Sequence, residues 1–554
     1  MNKYNRRQAL LGGSAALLLR PGLTDISKNN LVSREFFYHG VASGDPDSTS
    51  VVLWTKLTIS SVEATGLCEI SSSQGFEEII SCFPFKTSKE KDHTVKVLVN
   101  NLEPGSIYFY RFNYQGYFSS VGRTRTLPVG DISSLGLAVA SCSNYPFGYF
   151  NAYEAISIDP SIDFVLHLGD YIYEYGPDGY GGLSGEKLGR THLPGKEILS
   201  LDDYRTRHAQ YKSDKDSQAM HAAHPLIVIW DDHEVTNNPW MGGAENHQLD
   251  EGSWEFRKKS ALQAYYEWMP VREPEQGIGL ENYWRNFQFG NLANLITLET
   301  RHSGRAQQVS YSEYLKDLKS KEDAYNFRSE ILGAANRPML SNDMKKFLEK
   351  NLKQSCRNSK RWCLIGNQIP MARTHAPEIL DNFFKEKIKN LDGYDANSFR
   401  TFYDLGKLDL PIYLDTWDGY PLAREDFYQI SKNVDVNDLL VLTGDSHAFW
   451  QNELFDCSGK KMGLELGVAA ITSPGDFVSL GNDGATLINN QLAKHNKEIV
   501  WTNSQYNGYL RLKLTADKGR AEYISVTDIS SKKYDVKVIR EVEFVRSKGT
   551  LDYI

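Results

Sequence analysis

Leu226-Ile-Val-Ile-Trp230 runs directly into Asp231-Asp-His-Glu-Val-Thr-Asn-Asn238. Five apolar residues without alternation read as a strand buried on both faces, as in a parallel sheet covered by helices. Three carboxylates and one imidazole in the next four positions crowd like charge at a strand end, which is unfavourable without cations. The arrangement recurs outward along the chain. Leu135 to Ala140 ends in Ser141-Cys142, Phe164 to Leu168 in Gly169-Asp170, and Leu292 to Leu298 in Glu299-Thr-Arg301. Leu364-Ile365 ends in Gly366-Asn367, and Leu439 to Thr443 in Gly444-Asp-Ser-His447. In α/β folds, loops beyond the carboxyl ends of core strands converge on one crevice. Asp445 and His447 stand two apart, so in an extended segment they point the same way. Taken singly, Asp170 also reads as a helix N-cap and the acidic run as a solvated loop. Gathered on one edge, Asp170, Asp231, Asp232, Asp445 and His447 offer mainly hard oxygen donors with some nitrogen, suited to iron, manganese, zinc or calcium. Two cations about 4 Å apart would account for the set.

The flanking sequence has a different texture. From Phe36 to about Pro128, short alternating runs such as Val51-Val-Leu-Trp54 and Ile107-Tyr-Phe-Tyr-Arg111 are broken by turn residues and predict an all-β sandwich. Leu102-Glu-Pro-Gly-Ser-Ile-Tyr-Phe-Tyr-Arg111 resembles the late turn and strand of fibronectin-type-III-like domains. Gly176 to Gly195 reads as a long surface loop, and charged helices are expected around residues 310 to 355 and 376 to 400. Tyr509 to Val545 alternates and is assigned to a segment capping a sheet.

At 554 residues the chain has room for three or four units of about 150. Its net charge of −8 supplies no positive field to gather nucleic acid, so specific nucleic-acid recognition is not expected. An anionic substrate must then be held by metal ions or a few placed arginines. Asn2 to Arg7 is basic and precedes the apolar Ala9 to Leu19, which is too short to span a bilayer and has the shape of an export signal. Arg6-Arg7 resembles the twin-arginine signal, which points to the twin-arginine export machinery and a periplasmic or extracellular destination. No later segment reaches the ~18 apolar residues of a membrane span. The six cysteines form no CxxC pair; Cys68 and Cys82 either pair after export or stay as two separate buried thiols.

Seven strings in order resemble the PhoD-type alkaline phosphatase/phosphodiesterase family of the calcineurin-like metallophosphatase superfamily. They are His39-Gly-Val-Ala-Ser-Gly-Asp45, Ala140-Ser-Cys-Ser-Asn144, Gly169-Asp-Tyr-Ile-Tyr-Glu174, Asp203-Tyr-Arg-Thr-Arg-His-Ala-Gln-Tyr211, Trp230 to Asn238, Trp417-Asp-Gly-Tyr-Pro421 and Gly444 to His447. The resemblance implies a metallophosphatase-type β-sandwich core flanked by helices, an α/β catalytic domain over residues 131–545. It would follow an export signal at 1–30 and the smaller all-β domain at 36–128. It further implies one ferric ion held by Cys142, Asp170, Tyr173 and His447, and one or two calcium ions, or another divalent metal, held by the remaining oxygens. Asp170 would bridge. Asp232 and Asp445 stand where relatives carry neutral ligands, and carboxylates there shift preference toward calcium. Asp231, Asn238, Asn367 and Asp418 are further ligand candidates, each equally readable as a cap or turn residue.

The chemistry implied is metal-activated hydroxide attacking phosphorus in line with the leaving oxygen of a small phosphate ester, monoester or diester. His233 would hydrogen-bond or protonate phosphate or the leaving oxygen, or else orient Asp170. Arg205 and His208 share a helix face at i, i+3, and Arg205 could grip phosphate or make a surface salt bridge. A monomer is expected. Two rival readings are a dinuclear hydrolase of a non-phosphate bond and a surface binding protein with a degenerate metal site. The first is disfavoured by the lack of a zinc-type cysteine or histidine triplet, the second by the intact acidic set.

Overall fold

Alternation decides the N-terminal architecture. In Ile107–Tyr114 every second side chain is buried, from Tyr108 through Tyr110 and Phe112 to Tyr114, as expected of a half-buried strand. The computed structural model describes residues 35–357 and 362–554 and the two-residue strand Lys3–Tyr4. Apart from that strand, the export signal read at 1–30, with Arg6 and Arg7, lies outside the described residues. Strands β1 (Val41–Gly44), β2 (Val51–Lys56) and β5 (Thr94–Val99) face a second sheet of β3 (Glu63–Ser71), β4 (Ile79–Ser88), β6 (Ile107–Tyr114) and β7 (Gly122–Arg125). Val51, Leu53, Cys68, Ile70, Tyr110 and Phe112 close the core between them, a sandwich as expected.

Cys68 and Cys82 are both free, Cys68 buried and Cys82 exposed. In the antiparallel pairing of β3 with β4, Cys68 lies opposite Phe83 and Cys82 opposite Glu69. The one-residue offset sends the two thiols to opposite faces, so they neither bond nor form a buried pair.

Continuous apolar runs build the catalytic core. Strands β8 (Ser134–Ala140), β9 (Phe164–His167) and β10 (Leu226–Val228) are parallel neighbours. Further along come β11 (Asn286–Phe289), β12 (Ala293–Thr297), β13 (Trp362–Gly366), β14 (Leu439–Thr443), β15 (Phe449–Phe455), β16 (Lys461–Gly467) and β17 (Ile499–Asn503). They form a sheet of order β11-β12-β13-β14-β16-β15-β17, parallel from β12 through β16. Its inner residues Leu295, Leu364, Leu440 and Leu466 meet Leu137, Leu166 and Ile227 in one core. The alternate residues Ile296, Ile365 and Val441 face a second cluster with Leu348, Leu352 and Phe427, carried by helices α2 (Asn342–Arg357) and α3 (Pro421–Lys432). Both faces are covered, which is why these strands read as unbroken apolar stretches.

Two expectations are corrected. Tyr509 to Val545 is not a cap: β18 (Asn507–Thr515), β19 (Gly519–Val526) and β20 (Val536–Ser547) continue the first core sheet, with Leu137 opposite Leu512. Being antiparallel, they alternate although they belong to the core. The stretch from Gly176 to Gly195 is more than a surface loop, since it forms a helix at Gly182–Leu188 and buries Arg190 and His192. At the other edge Gly44 pairs with Leu226 in parallel, and the Asp45 amide donates to the Leu226 carbonyl at 2.9 Å. The N-terminal strands therefore extend the catalytic sheet. Among the described residues no helix is long and apolar enough to cross a membrane.

Leu166 is fully buried where the two core sheets meet. Leu166→Ala is expected to lower unfolding stability by about 2–5 kcal/mol, measured by the urea midpoint at unchanged denaturant slope.

Candidate metal centre

The ends of β8, β9, β10 and β14 meet at one rim, and the backbone there is unusual. Cys142, Asp170, Asn238, Asp445 and His447 all take left-handed conformations, with φ between 50° and 64°. Side chains in that region carry strain that the surroundings must impose. Close approach explains two glycines: a Cβ at Gly169 would lie 2.3 Å from the Asp231 nitrogen, and one at Gly444 would lie 2.3 Å from the Ser141 hydroxyl.

Four side chains predicted to share an ion converge. The Cys142 thiol and the Tyr173 hydroxyl both donate to Asp170 Oδ2, at 3.3 and 3.0 Å. His447 Nε2 is 3.3 Å from the Tyr173 oxygen. His447 donates from Nδ1 to the Pro474 carbonyl, which frees the Nε2 lone pair to face the group. Beside this set, Asp170, Asp232 and His233 form one cluster of donor atoms within 4.8 Å of one another, and Asp231, Asp232 and Asp445 another. Asp170 Oδ1 and Asp232 Oδ1 are buried and have no hydrogen-bond partner. Orphaned carboxylate oxygens in a buried acidic cluster fit bound cations, and the donor types fit one softer, nitrogen- and sulfur-containing position next to an all-oxygen one.

The electrostatics agree. Burial, aided by Asp232 and Asp231, pushes the Asp170 carboxyl well up, and burial with the Asp170 charge raises Cys142 and Tyr173. Without cations these donors hold their protons; a cation at the centre reverses that preference. His233 behaves oppositely. Burial opposes its charge, but Asp232, Glu174 and Asp170 outweigh it and push it well above its ordinary range.

Three residues outside the expected set organise the rim. Glu174, fully buried, accepts from His233 Nδ1 at 2.7 Å, from Thr236 and from the Asn237 amide. Glu234 accepts from the amides of Asp170, Tyr171 and Asp231 at 2.7–3.0 Å, stapling two ligand loops together. Arg301, also fully buried, grips both oxygens of Asp231 and reaches Asp445 at 2.8 Å, with Asp232 at 3.8 Å. Glu174 and Glu234 lie inside the quoted strings, and Arg301 ends one of the apolar runs; these were the available signals.

Several candidates have other employment. Asp231 sits in its cluster, but both its oxygens are taken by Arg301. Asn238 reaches Asp232 through its backbone amide, while its side chain donates to Glu245. The Asn367 amide is spent on Ile369 and Trp417. Asp418 caps the Thr374 amide and pairs with Arg424. Arg205 does not reach the rim: it forms a bidentate salt bridge with Glu267 and donates to the Glu90 carbonyl. His208 is buried, stacked near Tyr171 and Trp268. The helix α1 (Leu201–Ser213) turns that shared face toward Glu267 and Trp268 rather than toward the rim.

A parallel sheet pair with this acid-rich rim defines a metallophosphatase-type centre. Family models agree: the PhoD-like phosphatase model matches residues 137–523, and the model of its N-terminal domain matches 24–128. The chain is 33% identical over 546 residues to alkaline phosphatase D of Bacillus subtilis (strain 168), covering 94% of this chain and 84% of the other. The solved structure of PhoD superposes with a TM-score of 0.75 at 30% identity, covering 97% of this chain and 93% of that one. The purple acid phosphatase PPD1 of yellow lupin seeds shares the fold at a TM-score of 0.50 and 13% identity, covering 92% and 74%. The chain belongs to the PhoD-like phosphatase family. Membership implies divalent metal cofactors and a small phosphate ester as substrate.

Arg301→Met leaves the buried Asp231 and the neighbouring Asp445 without their guanidinium partner. The metal-depleted variant is expected to lose about 3–5 kcal/mol of stability, with added calcium restoring part of it, read as melting temperature with chelator and with calcium. A second expectation concerns acid. Burial lowers His167 and His208 from 6.5 to about 3, and His224 to about 4. At these three histidines the unfolded chain binds more protons below pH 6.5, so their contribution to stability is full above that pH and is lost as pH drops toward 3. Denaturation across pH 7 to 4 should show this decline, and His208→Gln should reduce its slope.

Proposed function

We propose that this chain is an exported phosphoester hydrolase whose iron position is formed by Cys142, Asp170, Tyr173 and His447 and whose calcium position is formed by Asp170, Asp232 and Asp445. The observation that carries this reading is the convergence of a thiol, a phenol, an imidazole and a carboxylate beside a second, all-oxygen cluster with orphaned acceptors. Metals bound there would supply Lewis-acid charge against the phosphoryl oxygens and lower the pKa of water toward neutrality.

The chain's own residues do the rest. Asp170 touches both donor sets and so fixes their spacing. His233, with Nδ1 committed to Glu174 and its ring stacked 4.1 Å from Tyr173, offers Nε2 as the hydrogen-bond and proton donor to the leaving oxygen. Burial opposes the charged imidazole, but the charges of Asp232 and Glu174 outweigh it and strengthen the ring's hold on that proton. Arg301 neutralises Asp231 and holds Asp445, which leaves Asp232 and Asp445 as the carboxylates turned to the second position. Glu234 keeps the Asp170 and Asp231 loops in register.

The export signal at 1–30, the domain bounds 36–128 and 131–545, a twin-arginine route to the periplasm or exterior, and a monomeric state complete the reading. The export route is supported by the Arg6-Arg7 pair before a short apolar run, and the domain bounds by the family-model matches at 24–128 and 137–523.

Asp170→Ala is expected to abolish hydrolysis of chromogenic phosphate monoesters and diesters, by at least a thousandfold in kcat/KM, and retained activity would reject the assignment. Tyr173→Phe should remove a visible tyrosinate-to-iron absorption band; a colourless, iron-free and fully active protein would reject the iron position alone.

A further inference from the structure

Arg207, Arg257, Arg301 and Arg305 are among the largest fully buried side chains. Three of them are matched. Arg207 donates to the carbonyls of Leu193 and Tyr173, Arg257 pairs with Glu197 and Glu251, and Arg301 pairs with Asp231 and Asp445. Arg305 is not. It donates only Nε, to the Tyr420 hydroxyl at 3.3 Å, and both Nη1 and Nη2 are buried without a partner. Among the described residues it is the one arginine whose two terminal nitrogens are both buried and unpartnered.

Its surroundings add positive charge rather than remove it. The Tyr420 ring lies 5.2 Å from the Arg305 guanidinium and 4.6 Å from that of Arg337. Arg337 donates to the carbonyls of Gln307 and Gly419 at 2.9 and 3.1 Å, and its Nε is buried and unpartnered. Tyr420 is also the N-cap residue of α3, without a side-chain cap, so the positive end of that 12-residue helix begins here. The two acidic residues that precede Tyr420 in the chain have other arginines as partners: Asp415 lies 3.7 Å from Arg301 and Asp418 is paired with Arg424 at 3.4 Å. An ionised guanidinium withdrawn from water without a counter-charge is strongly unfavourable, and two neighbouring ones more so.

We propose that Arg305, supported by Arg337, forms a binding site for a small tetrahedral oxyanion of the phosphate and sulfate class, separate from the metal centre. The two free Nη groups of Arg305 form a planar fork that matches two oxygens of such an ion. Tyr420 holds the fork from below through Nε. Arg337 is only partly buried and Gln307 is exposed, so solvent lies on that side of the site. The assignment does not depend on the identity of the metals or the reaction at the rim.

Two full-length variants separate this site from the metal centre. Calorimetric titration with sulfate and with inorganic phosphate should show one saturable site that persists in Asp170→Ala and weakens at least tenfold in Arg337→Gln. A phosphate site at the metal centre would respond the other way round. Arg305→Lys, which keeps the charge but loses the fork, should also weaken the oxyanion site. Absence of saturable binding in Asp170→Ala, or equal binding with and without the Arg337 substitution, overturns the proposal. So does a crystal grown in concentrated sulfate with water alone on both Arg305 Nη atoms.

Discussion

Clustered carboxylates cannot all stay ionised out of water unless positive charge is placed among them. Asp170, Asp231, Asp232 and Asp445 pose that problem at one rim, and most of the local architecture answers it. Arg301 supplies one internal cation and His233 another, and both are themselves held by acids. The remaining deficit falls on Asp170 Oδ1 and Asp232 Oδ1, the atoms without donors. The family's requirement for divalent metals is thus written into the charge balance of the rim as well as into its ligand types.

The backbone bears the mechanical side of the same constraint. Turning an aspartate back toward its neighbours immediately after a buried strand requires a sharp reversal, and five rim residues make it with positive φ. Glycine takes only the two positions where another loop presses in, Gly169 against Asp231 and Gly444 against Ser141. Glu234 offsets the strain by giving three amides a shared acceptor. Its carboxylate holds the ligand loops through their backbone amides rather than by joining the donor set.

Much of this could be read beforehand because the signals are local. The run Leu226 to Trp230 announces a doubly buried strand, and the strings ending in Cys142, Asp170, Asp232 and His447 announce a common rim. What stayed hidden depends on partners distant in sequence. A shared helix face for Arg205 and His208 is visible at i, i+3, yet nothing local says that Glu267 and Trp268 will occupy it. Arg301 ends one of the apolar runs, but its importance appears only when Asp231 and Asp445 are brought to it. Glu174 and Glu234 stand in quoted strings, but their task is to accept backbone and imidazole hydrogens, which no residue spacing reveals. The strands from Tyr509 onward alternate like a peripheral sheet because they are antiparallel, and only the pairing with β8 discloses that they belong to the core.

That pairing has a consequence for how the chain is made. The central strands β8, β9 and β10 are made with β1 already available for one side, but the partner for the other side, β18, follows far later in the chain. Until then the open flank of β8 presents unpaired amides and carbonyls, an adhesive edge for any other extended chain. Removing β18 would therefore leave an open, adhesive sheet edge rather than a smaller enzyme.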